Sequence, residues 1–303
     1  MPLSDEIVTV KFRKVLDRNE SNTNAAVMPA ETVTLKFLPG AERVLAEHRQ
    51  ELPQKNELCG AFWVTLGLRA FANAKIEQDH VGLAASSLLS VVQVADSLPP
   101  GHPGRDDYIL DLNRAVESDI DSGTSSQGLQ VATSQLSEGA FTSVPVSGEW
   151  TSAKVAEMLS RLFEADVSCL VMSNSATRFL WNSHMPSHAA LEFLFTGSTE
   201  VIGSEWNVGH FLCILGYVEG PHGTLALCAD TYPSLGSAGL HLQPLDGIAA
   251  SLRRDDSPYS GGMLVMVATA NVSVIVSIVE AIGLTTEIWD NGTPYQPVEE
   301  LTS

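Results

Sequence analysis

The order of periodic segments along the chain constrains its fold more than any other feature of the sequence. Apolar residues at helical spacing dominate residues 39–165, whereas the alternating or continuous apolar runs of strands are concentrated in residues 166–303. Helices followed by strands indicate an α+β fold, because parallel βαβ units would alternate the two kinds of segment. We therefore expect an N-terminal strand extension at 1–38, a mainly helical half at 39–165 and a sheet-rich half at 166–303.

Individual segments predict particular helices and strands. Two similar phrases, at 7–12 and 32–37, alternate apolar and polar residues and predict strands that pair with each other. Helices are predicted at 41–52, 59–73, 81–95, 106–120, 151–163, 244–254 and 273–283, and further strands at 167–172, 209–218, 224–229 and 263–268. Residues 122–150 are rich in Ser, Gly, Thr and Gln, a composition that predicts a loop or lid.

Charge and composition narrow the classes of function. The formal net charge of −19 at pH 7 makes the average surface repel a nucleic-acid backbone, so we expect no nucleic-acid partner. The longest apolar runs are too short to span a membrane and the N-terminus lacks the pattern of a secretion signal, so we expect a cytoplasmic protein without a membrane partner. Four widely spaced cysteines predict reduced thiols, and we expect neither a metal site nor a cofactor.

Cys59 stands at the start of a predicted helix, in the sequence ELCGAFW. Unpaired N–H groups and the helix dipole at such a position favour the thiolate, which is the nucleophilic form of cysteine. Gly60 permits close approach to the backbone, as an oxyanion hole requires, and Gln54 can add a side-chain donor. Cysteine is also among the most buried residue types, so the alternative is a small apolar side chain in a buried helix.

His210 and Asp230 lie on two strands that the short loop EGPHG joins into a predicted hairpin. With the turn at this loop, His210 lies opposite Tyr232 and Asp230 lies opposite Leu212. The two side chains are then diagonal neighbours on one face, where a carboxylate can fix the tautomer of an imidazole. The alternative is an Asp230 that caps a turn and a His210 that is satisfied in the core. Asp79, in the sequence EQDH, is a reserve candidate for the carboxylate.

These residues resemble the pattern of papain-like cysteine enzymes, in particular phytochelatin synthases and bacteriocin-processing cysteine peptidases. The likeness rests on a Gln shortly before Cys-Gly and on a Gly-His-Phe strand followed by an Asp, at residues 54–73 and 205–235. It implies a papain-like α+β fold with Cys59 as nucleophile, His210 as base and Asp230 as the group that orients the base. It also implies an oxyanion hole formed by Gln54 and Cys59, although Gln54 precedes the cysteine by five residues and the families usually have six.

Residues 39–63 and 208–218 are also similar to the discrete Dieckmann cyclases of actinomycete tetramate and pyridone pathways. This resemblance implies acyl transfer through a thioester on Cys59. The cyclisation releases a polyketide–peptide chain from an acyl or peptidyl carrier protein and forms a tetramate-type ring. The substrate is then a small-molecule acyl thioester, and the partner is the carrier protein.

Such chemistry requires a pocket that excludes water and a surface that binds the acidic carrier. Apolar side chains suited to the pocket are Trp63, Trp206 and Phe211. Basic side chains suited to carrier docking are Arg43, Arg49 and Lys55, since ten of the 17 basic residues lie in the first 75 positions.

Two other functions are compatible with the same residues. A papain-like cysteine peptidase or γ-glutamyl transpeptidase uses the same three side chains in an open cleft and, if it is a peptidase, cleaves generic reporter peptides. In a non-catalytic binding protein, the three side chains meet by accident. Cys59 would then react with alkylating reagents no faster than the other thiols, Cys169, Cys213 and Cys228.

Overall fold

A computed structural model describes residues 7–12, 31–92, 97–117 and 121–296 of the chain. Its strands are β1 (Ile7–Phe12), β2 (Glu31–Phe37), β3 (Leu88–Ser90), β4 (Asn113–Val116), β5 (Phe141–Val146), β6 (Leu170–Ala176), β7 (Gly209–Glu219), β8 (Thr224–Ala229), β9 (Leu240–Pro244) and β10 (Gly262–Ala268). Its helices are α1 (Ala41–Glu51), α2 (Cys59–Ala72), α3 (Gln78–Ala84), α4 (Ser126–Leu136), α5 (Ser152–Glu164), α6 (Ser187–Thr196), α7 (Leu245–Arg253) and α8 (Val272–Ala281). The fold is therefore of the mixed α+β class.

A large antiparallel sheet organises the described residues. The strands β5, β10, β6 and β7 are neighbours in that order, and β7 also pairs with β2 and β8. The outer strands β1 and β9 extend the sheet by pairing with β2 and β8. A separate parallel pair consists of β3 and β4. Because β2 and β5 precede residue 166, the sheet combines strands from both sequence halves.

Helices cover the sheet on both faces. Along β10, Leu264 and Met266 belong to one apolar cluster, whereas Met263, Val265 and Val267 belong to another. Side chains of a strand point alternately to the two faces, so the two clusters lie on opposite faces of the sheet. One cluster contains residues of α1, α2 and α4, and the other contains residues of α5, α7 and α8. The nearly continuous apolar runs of the central strands follow from this burial on both faces.

Helix α2 is enclosed by the sheet and by other helices. Every residue from Gly60 to Leu68 is buried, which is the pattern of a helix without a solvent face. Close packing also requires small residues, because a Cβ at Gly67 would lie 2.6 Å from the Met266 sulfur. The helix ends at Ala72, and the next residue, Asn73, adopts a left-handed conformation with φ 52°. Cys59 is thus the first residue of a helix whose position is fixed by packing.

Most of the predicted elements are confirmed. The first two strands pair as expected, and five predicted helices correspond to α1, α2, α5, α7 and α8 within two residues. The predicted strands at 209–218, 224–229 and 263–268 correspond to β7, β8 and β10, whereas the strand predicted at 167–172 begins later, at Leu170. Within the described ranges, no helix combines the length and apolarity that crossing a bilayer requires.

The helices predicted at 81–95 and 106–120 are wrong over most of their described length. The first ends at Ala84, Ser86 adopts φ 54°, and β3 follows. The second contains β4, which pairs in parallel with β3. Pairing between two short segments about 25 residues apart outweighs their local helical pattern. Residues 93–96 and 118–120 of these predictions lie outside the described residues.

The loop or lid predicted at 122–150 is also wrong, because this segment contains α4 and β5. The side chain of Ser125 caps the helix by accepting a hydrogen bond from the N–H three residues later. Leu129 and Ala132 then face the core. The polar composition is explained by hydrogen bonds inside the fold, such as the 2.8 Å contact between the buried hydroxyls of Thr133 and Ser143. Small polar residues therefore serve here as core residues.

Candidate active site

The hairpin of β7 and β8 places His210 and Asp230 side by side. The pair Cys213↔Ala229 fixes the register next to the site. Continuing this register places Asp230 opposite position 212 and His210 opposite position 232, as the sequence predicts. Nearer the turn, the pairing is shifted by one residue, because Leu215 is the extra residue of a β-bulge. The bulge thus gives the site the register in which the two side chains meet.

Asp230 holds the ring of His210 in the interior. The Asp230 Oδ1 atom lies 2.9 Å from His210 Nε2 and also accepts the Thr231 N–H at 2.7 Å. Both side chains are buried, with 2% and 3% of the residue surface of His210 and Asp230 exposed. The carbonyl oxygen of Asp230 accepts a hydrogen bond from His48 Nε2 at 2.6 Å. Asp230 is therefore held both through its side-chain carboxylate and through its backbone carbonyl group.

The thiol of Cys59 lies against the ring of His210 and hydrogen-bonds to it. Because Nε2 is bound by Asp230, Nδ1 is the ring nitrogen that remains for the sulfur. Burial by itself would raise the pKa of Cys59, but the hydrogen bond and charge of His210, with the N–H groups of Phe211 and Gly60, lower it below its ordinary value. Burial would lower the pKa of His210, but Asp230 and Cys59 raise it. The interaction therefore stabilises the thiolate of Cys59 and the imidazolium of His210.

The three other cysteines provide an internal comparison. Cys169, Cys213 and Cys228 are buried, and burial raises the pKa of each thiol, to about 12 for Cys169. Cys59 is only partly buried, and its pKa shifts in the opposite direction. The contact with the imidazole distinguishes it. The site therefore contains the one described thiol that is both accessible and stabilised as an anion.

Cys59 opens on a cavity of about 290 Å³. Its lining includes Trp206 and Phe211, as predicted for the substrate pocket. The Trp206 ring lies with its centroid 4.7 Å from that of His210 and shields the imidazole on one side. Polar groups from other elements, among them Asn174 and Arg254, complete the wall. An apolar side and a few polar groups are typical of a small-molecule site.

Gln54 lies in the same cavity wall and is firmly held. Its backbone N–H donates to the carbonyl oxygen of Thr231 at 2.9 Å, and its Oε1 atom accepts a hydrogen bond from the Thr231 hydroxyl. Among the contacts of the described residues, this leaves the Nε2 amide free to donate into the cavity. The N–H of Cys59 belongs to the first turn of α2, whose N–H groups have no partner within the helix. Gln54 and Cys59 both line the cavity.

Comparison with known families gives a clear assignment but no activity. The profile of a family of unknown function (DUF6885) matches residues 38–290. The chain belongs to this family. The DUF6885 match extends from the end of β2 beyond α8 and includes Gln54, Cys59, His210 and Asp230. A comparison with curated proteins finds no similar sequence.

Two predicted roles in this DUF6885 protein are contradicted by the structure. Asp79 does not orient His210, and Lys55 does not dock a carrier, because the two side chains form an ion pair in the interior. Asp79 is fully buried, and only 2% of the surface of Lys55 is exposed. A buried ammonium group is costly without an anionic partner, and Asp79 supplies this partner. The pair connects the segment before α2 to α3.

Trp63 does not line the substrate cavity, contrary to the prediction. It is fully buried, and its Nε1–H donates to the carbonyl oxygen of Phe211 at 2.9 Å. Its ring stacks on that of His48, with a centroid distance of 5.4 Å. Trp63 therefore connects α2 to β7 next to the site, and it positions the helix that carries Cys59.

The remaining docking candidates, Arg43 and Arg49, are both exposed on α1. Residues six positions apart on a helix point about 120° from each other, so these two do not form one basic face. The guanidinium group of Arg43 lies over the ring of Phe71, 4.8 Å from its centroid, and donates to Ser168. These contacts give Arg43 a structural role at the protein surface.

A second imidazole contacts the carboxylate and is not predicted from the sequence. His241 Nε2 lies 3.4 Å from Asp230 Oδ2, and His241 Nδ1 lies 3.0 Å from the amide nitrogen of Gln243. Gln243 is oriented by two hydrogen bonds to the backbone of Trp181, so its amide nitrogen is the donor. His241 Nδ1 therefore accepts, and Nε2–H points to Asp230. The alternation of His241 and Gln243 on β9 is the signal that would have suggested them.

Residues able to hold a metal ion are not grouped in the described part of the chain. There, no three His, Cys, Asp or Glu side chains are placed as a ligand set. The site contains a thiol, an imidazole and a carboxylate, and the side-chain N–H groups of Gln54 and the backbone N–H of Cys59 are available as donors in the same cavity wall. This combination is suited to acyl transfer.

Proposed function

We propose that the protein is a papain-like cysteine enzyme that transfers acyl groups through a thioester on Cys59. The observation that carries this proposal is the continuous contact from the Cys59 thiol through His210 to Asp230, at the wall of a cavity. The papain-like assignment is supported by the position of the nucleophile at the start of a buried helix. It is also supported by the base and carboxylate on neighbouring antiparallel strands.

The first half of the reaction forms the acyl-enzyme. The Cys59 thiolate attacks the carbonyl carbon of an acyl thioester, and the negative charge moves to the carbonyl oxygen. The N–H of Cys59 and the amide of Gln54 donate to this oxygen, each donor contributing about 3 kcal/mol in related chemistry. As the intermediate collapses, the bond to the leaving sulfur breaks and His210 gives this sulfur its proton. The products are a thioester on Cys59, a free thiol and a neutral imidazole.

We further propose that the acyl group leaves by Dieckmann cyclisation. The neutral His210 removes a proton from the carbon between two carbonyl groups of the bound chain. The carbanion attacks the thioester carbonyl, a carbon–carbon bond closes the ring, and the Cys59 thiolate leaves beside the imidazolium. A cavity of about 290 Å³, close to the lower limit for ligand pockets, supports a compact substrate. The source of the chain in this proposal is a carrier protein.

Cleavage of a peptide or γ-glutamyl amide is the second candidate. It is favoured by the polar part of the cavity wall, which includes Asn174 and Arg254 and is suited to a hydrophilic substrate. This reaction uses the same thiol, imidazole and oxyanion donors, and water or an amine then accepts the acyl group. Cleavage of a reporter peptide or γ-glutamyl anilide, without ring formation from β-ketoacyl substrates, would favour it over cyclisation.

Intact-mass measurement tests the covalent step. The protein is incubated with N-acetylcysteamine thioesters of β-ketoacyl amino acids, and protein mass and released products are followed. We expect an acyl adduct on the parent and on the control Cys169→Ala, none on Cys59→Ala, and a cyclic product. His210→Ala should be nearly as inactive as Cys59→Ala, whereas Asp230→Asn should retain measurable activity. Equal turnover by Cys59→Ala and the parent would end the covalent mechanism.

A further inference from the structure

Arg254 follows the last residue of α7 and forms part of the wall of the Cys59 cavity. Only 6% of the residue is exposed. A Cβ atom built on Gly209, the residue before His210, would lie 3.5 Å from an Arg254 Nη atom. The guanidinium group is thus a neighbour of the strand that carries the candidate base, inside the same cavity.

The protein gives this guanidinium group no anionic partner in the described residues. Its Nη2 atom donates to Asn174 Oδ1 at 2.6 Å and lies 3.4 Å from the Asn174 carbonyl oxygen. Its Nη1 atom lies 3.4 Å from the carbonyl oxygen of Asn291. The Nε atom is buried without a hydrogen-bond partner. All the recorded acceptors are neutral, although a buried cation is stable only when paired or coordinated.

Two other charged side chains, Arg178 and Glu57, line the same cavity as Arg254. Burial and the repulsion of Arg178 lower the pKa of Arg254 to about 10, and Cys59 raises it in part, so the side chain is still charged at neutral pH. Arg178 lines the same cavity but already forms an ion pair with Asp256. Glu57, also in the lining, accepts the N–H of Ser90 at 2.7 Å. The hydrogen bonds of Arg254 thus go only to neutral acceptors, and neither of these carboxylates is bonded to it.

The backbone of Arg254 supports a role beyond packing. The residue adopts φ 52° and ψ 48° after the last turn of α7, a left-handed conformation that favours glycine. A residue with a Cβ atom is strained at such a position, and strain of this kind is concentrated at functional sites.

We propose that Arg254 binds a free carboxylate on the acyl group that Cys59 receives, so that the substrates are acyl donors with a carboxylate at some distance from the reacting carbonyl. This inference rests on the proposed acyl transfer and specifies its substrate class. A guanidinium group binds a carboxylate through parallel N–H···O bonds, which fix the orientation of the substrate. A monoanionic carboxylate matches the single guanidinium charge better than a doubly charged phosphate does.

A series of matched thioesters tests the assignment. Phenyl thioesters of glutaric, adipic and pimelic half-acids are compared with the corresponding methyl esters, which have the same chain without the charge. The rate of Cys59 acylation is followed by protein mass and by thiophenol release. The ratio of the two rates at one pH is the readout, because any change in the thiolate fraction cancels in it. The chain length with the largest ratio reports the separation between Cys59 and Arg254.

We expect the acid to react about tenfold faster than its methyl ester for at least one chain length. The ratio should fall to near one in Arg254→Gln and in Arg254→Gly, while Arg253→Gln, which alters an exposed neighbour bonded to Asp255, keeps the parent ratio. Arg254→Gly also relieves the left-handed backbone, and an unchanged rate of Cys59 acylation by the methyl ester shows that the variant is folded.

The outcomes separate the two proposals. Rapid acylation of Cys59 without a preference for the acid, or a preference that survives in both Arg254 variants, overturns the carboxylate site and leaves acyl transfer intact. The absence of Cys59 acylation by every ester, charged or neutral, overturns the proposed function and the carboxylate site with it.

Discussion

Two features next to Cys59, the N-terminus of α2 and the imidazole of His210, stabilise its thiolate to different extents. A helix N-terminus stabilises an anion by typically 0.3–1 kcal/mol near the surface, or about 2 kcal/mol when partly buried. Burial works against the anion, as the raised pKa values of the three other cysteines show. The net pKa of Cys59 is nevertheless lowered, and its largest favourable contribution is the hydrogen bond from His210. The imidazole is therefore the decisive residue for the reactivity of the thiol.

This balance predicts the pH dependence of alkylation by iodoacetamide, a neutral reagent. Because the pKa of Cys59 is lowered and that of His210 is raised, the alkylation rate of the parent should reach its plateau at a lower pH than that of an ordinary thiol. In His210→Gln, the thiol loses its main stabilising partner and its pKa rises, so the rate at pH 6 should fall by at least about tenfold. At high pH both proteins are deprotonated and the difference should narrow.

The measurement is the pseudo-first-order rate of Cys59 labelling against pH, with peptide mapping to assign the site. His222→Gln is the matched control, because it removes an exposed imidazole from the loop between β7 and β8. Superimposable profiles for His210→Gln and the parent would show that the imidazole does not control the thiol.

At the scale of elements, the bulge at Leu215 determines where the hairpin presents its side chains. On the turn side, the pairs run from Gly216↔Leu227 to Glu219↔Thr224, and on the site side Cys213 pairs with Ala229. A uniform register from the turn would shift the pairing at the site by one residue and direct Asp230 to the wrong face. The site therefore depends on one additional residue in β7.

Gly216 ends this bulge at the position where β2 approaches β7. A Cβ atom there would lie 2.2 Å from the carbonyl oxygen of Lys36, and a backbone atom cannot move away as easily as a flexible side chain. We expect Gly216→Ala to lower the free energy of unfolding by about 1–3 kcal/mol, the range of overpacked sites, in urea denaturation. Gly203→Ala is the control, since nothing lies within 4 Å of its added Cβ. Equal midpoints for the two variants would argue against the close strand contact.

The buried pair of Lys55 and Asp79 fixes the segment that leads into α2. Lys55→Met leaves the carboxylate of Asp79 without its cation, and we expect a loss of about 3–5 kcal/mol in the free energy of unfolding. Adding Asp79→Leu removes the unpaired charge and should recover a large part of this loss, as measured by chemical denaturation. A double variant as unstable as the sum of both single variants would contradict the pairing.

At the scale of the whole molecule, the sheet joins the two halves of the sequence. β10 lies between β6 and β5, and β5 comes from the first half. The face of the sheet that carries Phe211 and Cys213 is covered by α2 and α4, which also come from the first half. The Cys59 thiol and the His210 imidazole therefore reach one another only after both parts have packed together.

This arrangement predicts that residues 166–303 do not fold as a separate unit. Expressed alone, they would expose the apolar face beneath α2 and the strand edge that β5 covers. We expect poor solubility and no cooperative unfolding transition by circular dichroism, whereas the full chain should unfold cooperatively. A soluble, cooperatively folded fragment would show that the halves are independent domains.

The amino-acid sequence by itself determined the features that depend on neighbours along the chain. Period-two alternation and a Gly- and Pro-containing loop predicted the hairpin that carries His210 and Asp230, and an apolar helical pattern placed Cys59 at a helix start. Such local patterns follow from backbone geometry and the burial of apolar side chains.

Only the tertiary structure decided the features that depend on residues far apart. It made 122–150 a helix and a strand, paired Asp79 with Lys55, and brought Arg254 to the cavity of Cys59. Burial and pairing of polar groups depend on which distant segments meet, and composition or periodicity along one segment contains no such information. The residues of the site were therefore largely predictable, whereas most of the wall around them was not.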